Sequence, residues 1–230
     1  INLSLIFNKE KGIELISHKY LGEKQILKIL FQRKKYEITL NLIGKIQIKN
    51  VLMAILAANK SGLRFKQIIN VIDKIKPVQG RLEKIGAIKN NSRVILDYAH
   101  TPDALETTLM SIKEQFPKSK IILVFGCGGE RDYKKRSIMG KIAEKYSDRI
   151  YLTDDNPRNE DPSTIRKDIK KGIKRTNIWE LPDRKKAIHE AIMSLNIGEL
   201  LLVTGKGHEK IQDYGKKKLF FSDKQVILKS

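Results

Sequence analysis

The 230-residue sequence has one cysteine, no long hydrophobic segment and no signal-peptide pattern, and each absence excludes a class of protein. Cys127 alone can form neither an intramolecular disulfide framework nor a multi-cysteine zinc site. No apolar run approaches the roughly 18 residues that a membrane span requires. Residues 1–15 lack the basic start, apolar stretch and cleavage site of a signal peptide. We therefore expect a cytoplasmic protein with no membrane partner.

Acidic residues are scarce beside basic ones, with 26 Asp plus Glu against 46 Lys plus Arg, which gives a net charge of +20. The excess is not clustered, because residues 1–80 and residues 81–230 each have a net charge of +10. Zinc-finger spacing, an aromatic RNA-binding stretch and a basic arm are all missing. The charge favours a lysine-coated soluble protein over a specific nucleic-acid binder.

From residue 93 the sequence alternates between apolar, β-branched runs and segments typical of helices. Strands are predicted at 93–99, 121–126, 149–154, 177–181 and 199–204, with helices between them. One helix is predicted to start with Asp161 as its N-cap and Pro162 at its first position. This alternation predicts an α/β, doubly wound, Rossmann-like domain with a mostly parallel sheet.

Residues 1–80 show a different pattern, with strand-like pieces at 4–8 and 36–43 followed by helices at about 48–59 and 65–75. These pieces are too few for a complete domain with a large core. We interpret 1–80 as the end of a preceding domain and 81–230 as a complete one, with the boundary near Pro77–Arg81.

Four of the predicted strands are followed by loops rich in glycine and charged residues. In open parallel sheets such loops bind ligands. Their mixture of guanidinium groups, carboxylates and glycines suits a zwitterionic or multiply charged small molecule. A dinucleotide fingerprint is excluded because its third glycine would fall on Arg131, and the sequence contains no G-x-x-x-x-G-K-[ST] phosphate loop. No metal site is predicted, because neither His100 with Asp103 nor His208 with Glu209 completes a ligand set.

Together these loops resemble the motifs of the Mur ligases, the ATP-dependent amide-forming enzymes of peptidoglycan biosynthesis. The resemblance is strong from residue 77 onward and weaker before it. It implies that 1–80 is the end of the family's central ATP-binding domain and 81–230 its C-terminal domain. The matching segments are GRLE (80–83), DYAHTPDALE (97–106), VFGCGGERD (124–132), TDDNPR (153–158) and GKGHE (205–209).

The resemblance also implies a reaction, in which ATP with Mg²⁺ activates the D-glutamate carboxylate of UDP-N-acetylmuramoyl-L-alanyl-D-glutamate. The acyl phosphate is then attacked by the amine of an incoming amino acid. In this family the D-N-P-R sequence is typical of enzymes that use meso-diaminopimelate. The phosphate loop and the carbamylated lysine of the family lie upstream, so no catalytic residue is assigned, and the chain alone is expected to be an inactive monomer.

Site residues follow from the same resemblance. Arg131 and Arg158 suit the paired carboxylates of diaminopimelate. Asp155 and Glu209 suit its distal ammonium group. The diaminopimelate group is Arg131, Asp155, Asn156, Pro157, Arg158, Gly205 and Glu209, and the ATP group is Asn50, Arg81, Asp97 and His100. Gln47 replaces an asparagine that is usual in the family's adenine site.

Three alternatives stay open at this point. A lysine-adding Mur ligase or a folylpolyglutamate synthetase-like enzyme would share most of these motifs. Arg158 discriminates against lysine, which has no second carboxylate. The third alternative is a non-catalytic module that binds an amino acid or nucleic acid.

Overall fold

A computed structural model describes residues 12–86 and 92–230 of the chain. Internal contacts divide the chain into two compact units, Ile1–Pro77 and Val78–Ser230. This division falls within the Pro77–Arg81 segment expected from the sequence. The strand-like piece predicted at 4–8 lies outside the described residues. Within the two described ranges, no helix is both long and apolar enough to cross a membrane.

The N-terminal unit is a three-stranded antiparallel sheet followed by helices. The sheet order is β1-β2-β3, and alternation along β2 buries Leu27, Ile29 and Phe31. Phe31 stacks on Phe65 with 3.9 Å between the ring centroids, so the sheet and the helices share one apolar core. The elements are β1 (Glu14–Leu21), β2 (Lys24–Phe31), β3 (Lys34–Leu40), α1 (Ile46–Lys60), α2 (Phe65–Ile69) and a 3₁₀ helix (Ile72–Lys74).

Three sequence expectations for this unit differ from the structure. The strands β1 and β2 were not predicted; β1 is mostly exposed, so its apolar alternation is weak. The single helix predicted at 65–75 is wrong, because α2 ends at Ile69 and only a 3₁₀ turn follows. The core is also larger than expected, with one continuous buried cluster that extends from Ile13 to Ile72.

The C-terminal unit has a six-stranded, mostly parallel sheet with the order β4-β5-β9-β6-β7-β8. Only β4 is antiparallel to its neighbour. The predicted doubly wound α/β fold is confirmed. Its elements are β4 (Glu83–Lys84), β5 (Arg93–Asp97), α3 (Pro102–Gln115), β6 (Ile121–Phe125), α4 (Lys134–Tyr146), β7 (Arg149–Leu152), α5 (Pro162–Lys170), β8 (Ile178–Glu180), α6 (Arg184–Met193) and β9 (Leu200–Thr204).

The central strands β6 and β9 consist entirely of buried residues, as expected for a sheet covered on both faces. Side-chain caps fix where the helices begin. Thr101 Oγ1 accepts from the backbone N–H of Ala104 at the start of α3. The predicted N-cap, Asp161, accepts from two backbone N–H groups at the start of α5. These caps end the loops at defined points and so position the residues between strand and helix.

Three further elements were not predicted. The hairpin of β10 (Ile211–Tyr214) and β11 (Lys217–Phe220) follows the GKGHE segment directly, and α7 (Asp223–Lys229) ends the chain. Gly215 occupies the hairpin turn with φ +71°, a conformation that favours glycine. The hairpin matters for the site because its first strand hydrogen-bonds to the D-N-P-R loop.

Candidate functional site

Four glycine- and charge-rich loops meet at one edge of the C-terminal sheet. They follow β5, β6, β7 and β9, which are parallel neighbours. Since the carboxyl ends of parallel strands share an edge, this arrangement brings together residues 97–103, 126–132, 153–158 and 205–209. The predicted convergence of these loops is confirmed.

Lys206 lies at the centre of the loops and is fully buried. Its Nζ donates to Asn156 Oδ1 at 2.8 Å, to Glu209 Oε2 at 3.0 Å and to the Ile211 carbonyl at 2.6 Å. Asn156 Nδ2 also donates to Glu209 Oε2 at 3.0 Å. The backbone N–H of Asp213 in β10 donates to Asn156 Oδ1 at 3.0 Å. One ammonium group thus links the D-N-P-R loop, the GKGHE loop and the hairpin.

Glu209 is a partly buried carboxylate with several donors around it. Burial opposes its ionisation, but hydrogen bonds from Lys206, Asn156 and Tyr98 and the charge of Lys206 outweigh burial, so the pKa of Glu209 lies below its ordinary value. The Tyr98 hydroxyl is 3.4 Å from Glu209 Oε1, the less occupied oxygen. Glu209 is therefore a charged acceptor near neutral pH, as a partner for an ammonium group must be.

Asp155 is buried more deeply than the sequence suggested. Within the described chain its Oδ2 has no hydrogen-bond partner. Burial raises the pKa of Asp155 against the attraction of Arg184 and Lys206. A Cβ atom on Gly205 would lie 2.5 Å from Asp155 Oδ2, and Gly205 itself has φ +109°. Glycine at 205 is what allows this carboxylate to lie against the backbone.

Arg184 lies in the same buried region and was missed by the sequence analysis. Its Nε and Nη2 each donate to an oxygen of Asp223 at 2.8 Å, and Nη2 donates to the Thr204 carbonyl at 2.7 Å. Both side chains of the ion pair are fully buried. Arg184 joins the first turn of α6 to α7 and to the end of β9, just before the GKGHE loop.

Arg158 is partly buried and has the left-handed φ of +54°. Its Nη1 donates to the Gly129 carbonyl at 2.6 Å, and its backbone N–H donates to the Asp213 carbonyl at 2.9 Å. Among the described residues, Nε and Nη2 make no hydrogen bond. Pro157 is buried, and its carbonyl approaches Gly129 so closely that a Cβ there would lie 1.9 Å away. One edge of the guanidinium is thus fixed while the other remains available.

Arg131, the second predicted arginine, differs from Arg158. It is exposed and makes no hydrogen bond or ion pair with the part of the chain that the structure describes. Lys206 therefore joins Asn156 and Glu209 in one hydrogen-bond network, and Gly205 lies beside it against Asp155. Arg131 lies outside that network.

The ATP group is divided between the two units. In the C-terminal unit, Asp97 is buried and accepts from Leu82 N at 2.8 Å, Ala99 N at 2.9 Å and Thr108 Oγ1 at 3.2 Å. Burial raises the pKa of Asp97, although these donors and Arg81 oppose the shift. Its oxygens hold the local backbone, including Leu82 with φ +46°.

Arg81 and His100 are exposed and lie on either side of Tyr98 in the sequence. The Arg81 guanidinium lies 4.7 Å from the centroid of the Tyr98 ring, and the His100 ring lies 4.6 Å from it. In α1 of the N-terminal unit, exposed Asn50 donates to Gln47 Oε1 at 3.2 Å.

No metal site was predicted from the sequence of this chain. The resemblance to the Mur ligases, however, implies that Mg²⁺ accompanies ATP. Across residues 12–86 and 92–230, no group of three or more His, Cys, Asp or Glu side chains could hold a metal ion. The described residues thus offer no ready-made cluster of metal ligands, and no step of the reaction is assigned to Mg²⁺ on this chain.

Residues 80–207 match the family described as "Mur ligase, glutamate ligase domain". The chain belongs to the Mur ligase family. This Mur ligase chain is 43% identical over 230 residues to a UDP-N-acetylmuramoyl-L-alanyl-D-glutamate–2,6-diaminopimelate ligase from Rickettsia montanensis, covering 99% of the chain and 47% of that relative. The enzyme of the same name from Mesorhizobium japonicum is 41% identical over 217 residues, which cover 94% of the chain and 43% of that relative.

Solved structures agree with the fold of this Mur ligase chain. A diaminopimelate ligase with the same full name matches with a TM-score of 0.71 and 29% identity, covering 95% of this chain and 45% of the other. A folylpolyglutamate synthase from Thermotoga maritima matches with a TM-score of 0.64 and 26% identity, covering 84% and 43%. The Mur ligase chain thus spans about half the length of the proteins that it matches.

Two buried cations of the site region, Lys206 and Arg184, were missed by sequence reasoning. Lys206 stands between two glycines directly after a buried strand, and it lies inside one of the motifs; its position could have indicated a buried charge. For Arg184, which follows the N-cap of α6, the sequence offered no such indication.

Proposed function

We propose that this chain binds the incoming amino acid of a Mur ligase and that the amino acid is meso-diaminopimelate. The complete reaction would be the ATP-dependent addition of diaminopimelate to UDP-N-acetylmuramoyl-L-alanyl-D-glutamate, through an acyl phosphate, in peptidoglycan biosynthesis. The names of relatives at 41–43% identity support this substrate. The 230-residue chain itself contains no phosphate loop. We therefore expect it to release no phosphate from ATP on its own.

The observation that supports the substrate most strongly is the pairing of an available guanidinium with an ionised carboxylate in adjoining loops. Arg158 is fixed through Nη1 and can offer two further N–H donors to one carboxylate of the ligand. Glu209 is kept charged by its neighbours and can accept from a ligand ammonium through Oε1. Diaminopimelate has a carboxylate and an ammonium group at each end, whereas lysine lacks the second carboxylate.

In the complete reaction this chain would contribute positioning rather than bond making. The ammonium and carboxylate groups held at one end of diaminopimelate would leave the amine at the other end to attack the acyl phosphate. Holding the two reactants in a productive geometry supplies a large part of the rate enhancement in such reactions. On the nucleotide side, exposed Arg81 suits phosphate oxygens, and both Arg81 and His100 lie against the Tyr98 ring. Asn50 stays a proposed adenine contact.

The decisive test compares diaminopimelate and lysine binding to the wild-type chain and to Arg158→Ala. Affinity for diaminopimelate, measured by calorimetry, should fall by roughly 30- to 1000-fold, because its distal carboxylate would lose a charged partner in a partly desolvated site. Affinity for lysine should change little. Arg64→Ala, which removes an exposed arginine of the N-terminal unit, is the matched control and should leave both affinities unchanged.

Three other outcomes of these binding measurements would each favour a different interpretation of the site. An equal loss for both amino acids would assign Arg158 a structural role through Gly129 and the loop that it holds. A wild-type chain that prefers lysine would support the lysine-adding alternative. A salt-sensitive DNA shift without any response to diaminopimelate would support the nucleic-acid-binding alternative instead.

A further inference from the structure

We propose that Lys206 is a positioning residue of the amino-acid site: it sets the orientation of the Asn156 side-chain amide and keeps Glu209 negatively charged without touching the ligand itself. This inference rests on the amino-acid site proposed above. It adds a buried residue that orders the two ligand-binding side chains Asn156 and Glu209.

Lys206 has no hydrogen-bond donor left for a ligand. A lysine ammonium carries three N–H donors and no acceptor. The three acceptors of Lys206 are Asn156 Oδ1 at 2.8 Å, Glu209 Oε2 at 3.0 Å and the Ile211 carbonyl at 2.6 Å. Its side chain is also fully buried. Lys206 therefore acts on a ligand only through the side chains that it contacts.

The side-chain amide of Asn156 is held in one orientation by its partners. Its Oδ1 already accepts from Lys206 Nζ and from the backbone N–H of Asp213, so both lone pairs of that oxygen are used. Its Nδ2 donates one proton to Glu209, which leaves one N–H. A flipped amide would point its NH₂ group at the Lys206 ammonium and at the Asp213 N–H. Lys206 thus makes Asn156 a donor toward the ligand, suited to a carboxylate oxygen and not to an ammonium.

Lys206 also stabilises the negative charge of Glu209. Lys206 and Asn156 both bond to its Oε2, and the Tyr98 hydroxyl lies near Oε1; Arg184 and Asp155 interact with it electrostatically. Burial and the negative charge of Asp155 oppose ionisation. Lys206 is the cation bonded directly to this carboxylate. Removing it should raise the pKa of Glu209, so the acceptor for the ligand ammonium would be lost at a higher pH than in the wild type.

The experiment replaces Lys206 by methionine, which keeps the length of the side chain and removes its charge. Lys210→Met is the matched control, because Lys210 is exposed and lies four residues further along the same loop. Diaminopimelate affinity is measured by calorimetry from about pH 4 to pH 8, and the Glu209 carboxyl is titrated by carbon NMR without ligand. In Lys206→Met we expect binding to weaken roughly tenfold or more, and both titrations to move to higher pH. Lys210→Met should match the wild type.

A double-mutant comparison separates positioning from a general loss of structure. If Lys206 acts largely through Glu209, the Lys206→Met change should reduce affinity much less in a Glu209→Gln background than in the wild type. The double variant has no unpaired charge at this point, so it stays informative even if Lys206→Met alone fails to fold. We expect Glu209→Gln and the double variant to bind diaminopimelate within roughly threefold of each other.

Four results would overturn the proposal. An unchanged Glu209 titration in folded Lys206→Met would show that Lys206 does not keep this carboxylate charged. A tenfold further loss in the double variant would show that Lys206 does not act mainly through Glu209. Neither result would affect the proposed function. A Lys210→Met variant that reproduces the loss would attribute it to net charge alone. Failure of the wild-type chain to bind diaminopimelate would overturn the proposed function and the role of Lys206 together.

Discussion

The two groups of predicted ligand residues in the C-terminal unit are built in different ways. The amino-acid group is largely buried, and hydrogen bonds link Asn156, Glu209 and the hairpin strand β10. In the nucleotide group only Asp97 is buried, while Arg81 and His100 are exposed. The protein itself orders the first group before a ligand arrives, which lowers the entropic cost of binding, whereas the second group has few partners within its own unit. This difference should appear in the stability of the C-terminal unit.

We expect the largest effect from Arg184→Met, which removes the buried ion pair with Asp223 near the amino-acid group. Asp223 would stay buried without its partner, and the Thr204 carbonyl would lose a donor. We expect the free energy of unfolding of this unit to fall by about 3–5 kcal/mol. Urea denaturation can follow it by fluorescence of Trp179, the only tryptophan in the sequence. Lys185→Met, an exposed neighbour in α6, should change little, and a similar loss in both variants would contradict the comparison.

Gly205→Ala should be the next most damaging change. The added methyl would lie 2.5 Å from Asp155 Oδ2 at a residue with φ +109°. Gly198→Ala is the matched control, because Gly198 has φ +76° and nothing within 4 Å of the added atom. The control should cost about 1–2 kcal/mol through backbone strain alone, and Gly205→Ala about 1–3 kcal/mol more, measured by the same denaturation. Equal costs would mean that Asp155 moves aside easily and that the loop is less rigid than described.

Removing the exposed nucleotide residues should have a much smaller effect. Arg81→Ala removes a side chain that lies over the Tyr98 ring. His100→Ala removes a side chain that lies beside the same ring and whose Nδ1 is 2.9 Å from the Tyr98 carbonyl oxygen. We expect the unfolding free energy to change by less than about 0.5 kcal/mol in each variant. If urea denaturation shows that the free energy of unfolding falls by more than about 1 kcal/mol, these exposed residues also stabilise the folded unit.

At neutral pH the smallest effect concerns Cys127, in the loop after β6. Burial raises the pKa of the Cys127 thiol to about 12. The folded chain should therefore resist alkylation at about pH 8, while the chain in urea reacts at an ordinary rate. Because the folded pKa exceeds the ordinary value, this group should also cost stability as the pH rises from about 9 to 12. Rapid labelling of the folded chain would show that the loop opens.

The sequence predicted the five parallel strands of the sheet because their apolar runs and the helix caps are local features. It did not predict β4, with two residues, or the hairpin, whose strands have four residues each and of which β11 is fully exposed. The motifs identified Asn156 and Glu209, but not the saturation of Asn156 Oδ1 by a backbone group 57 residues away. Such a contact depends on strand order and hairpin placement, which no local pattern encodes. The assignment of each site residue to a ligand stays a prediction.

The order of strands in the sheet has a consequence for how the chain is made. β9 lies between β5 and β6, although the ribosome synthesises it about 80 to 110 residues after them. Until Leu200–Thr204 emerges, two apolar strands lack the neighbour that joins them, and their edges can pair with other nascent chains. Folding of this unit should therefore be late and slow, as is usual when pairing is distant in sequence. A chain that stops before residue 200 should aggregate rather than fold, so the strand that precedes the GKGHE loop also commits the unit to its native structure.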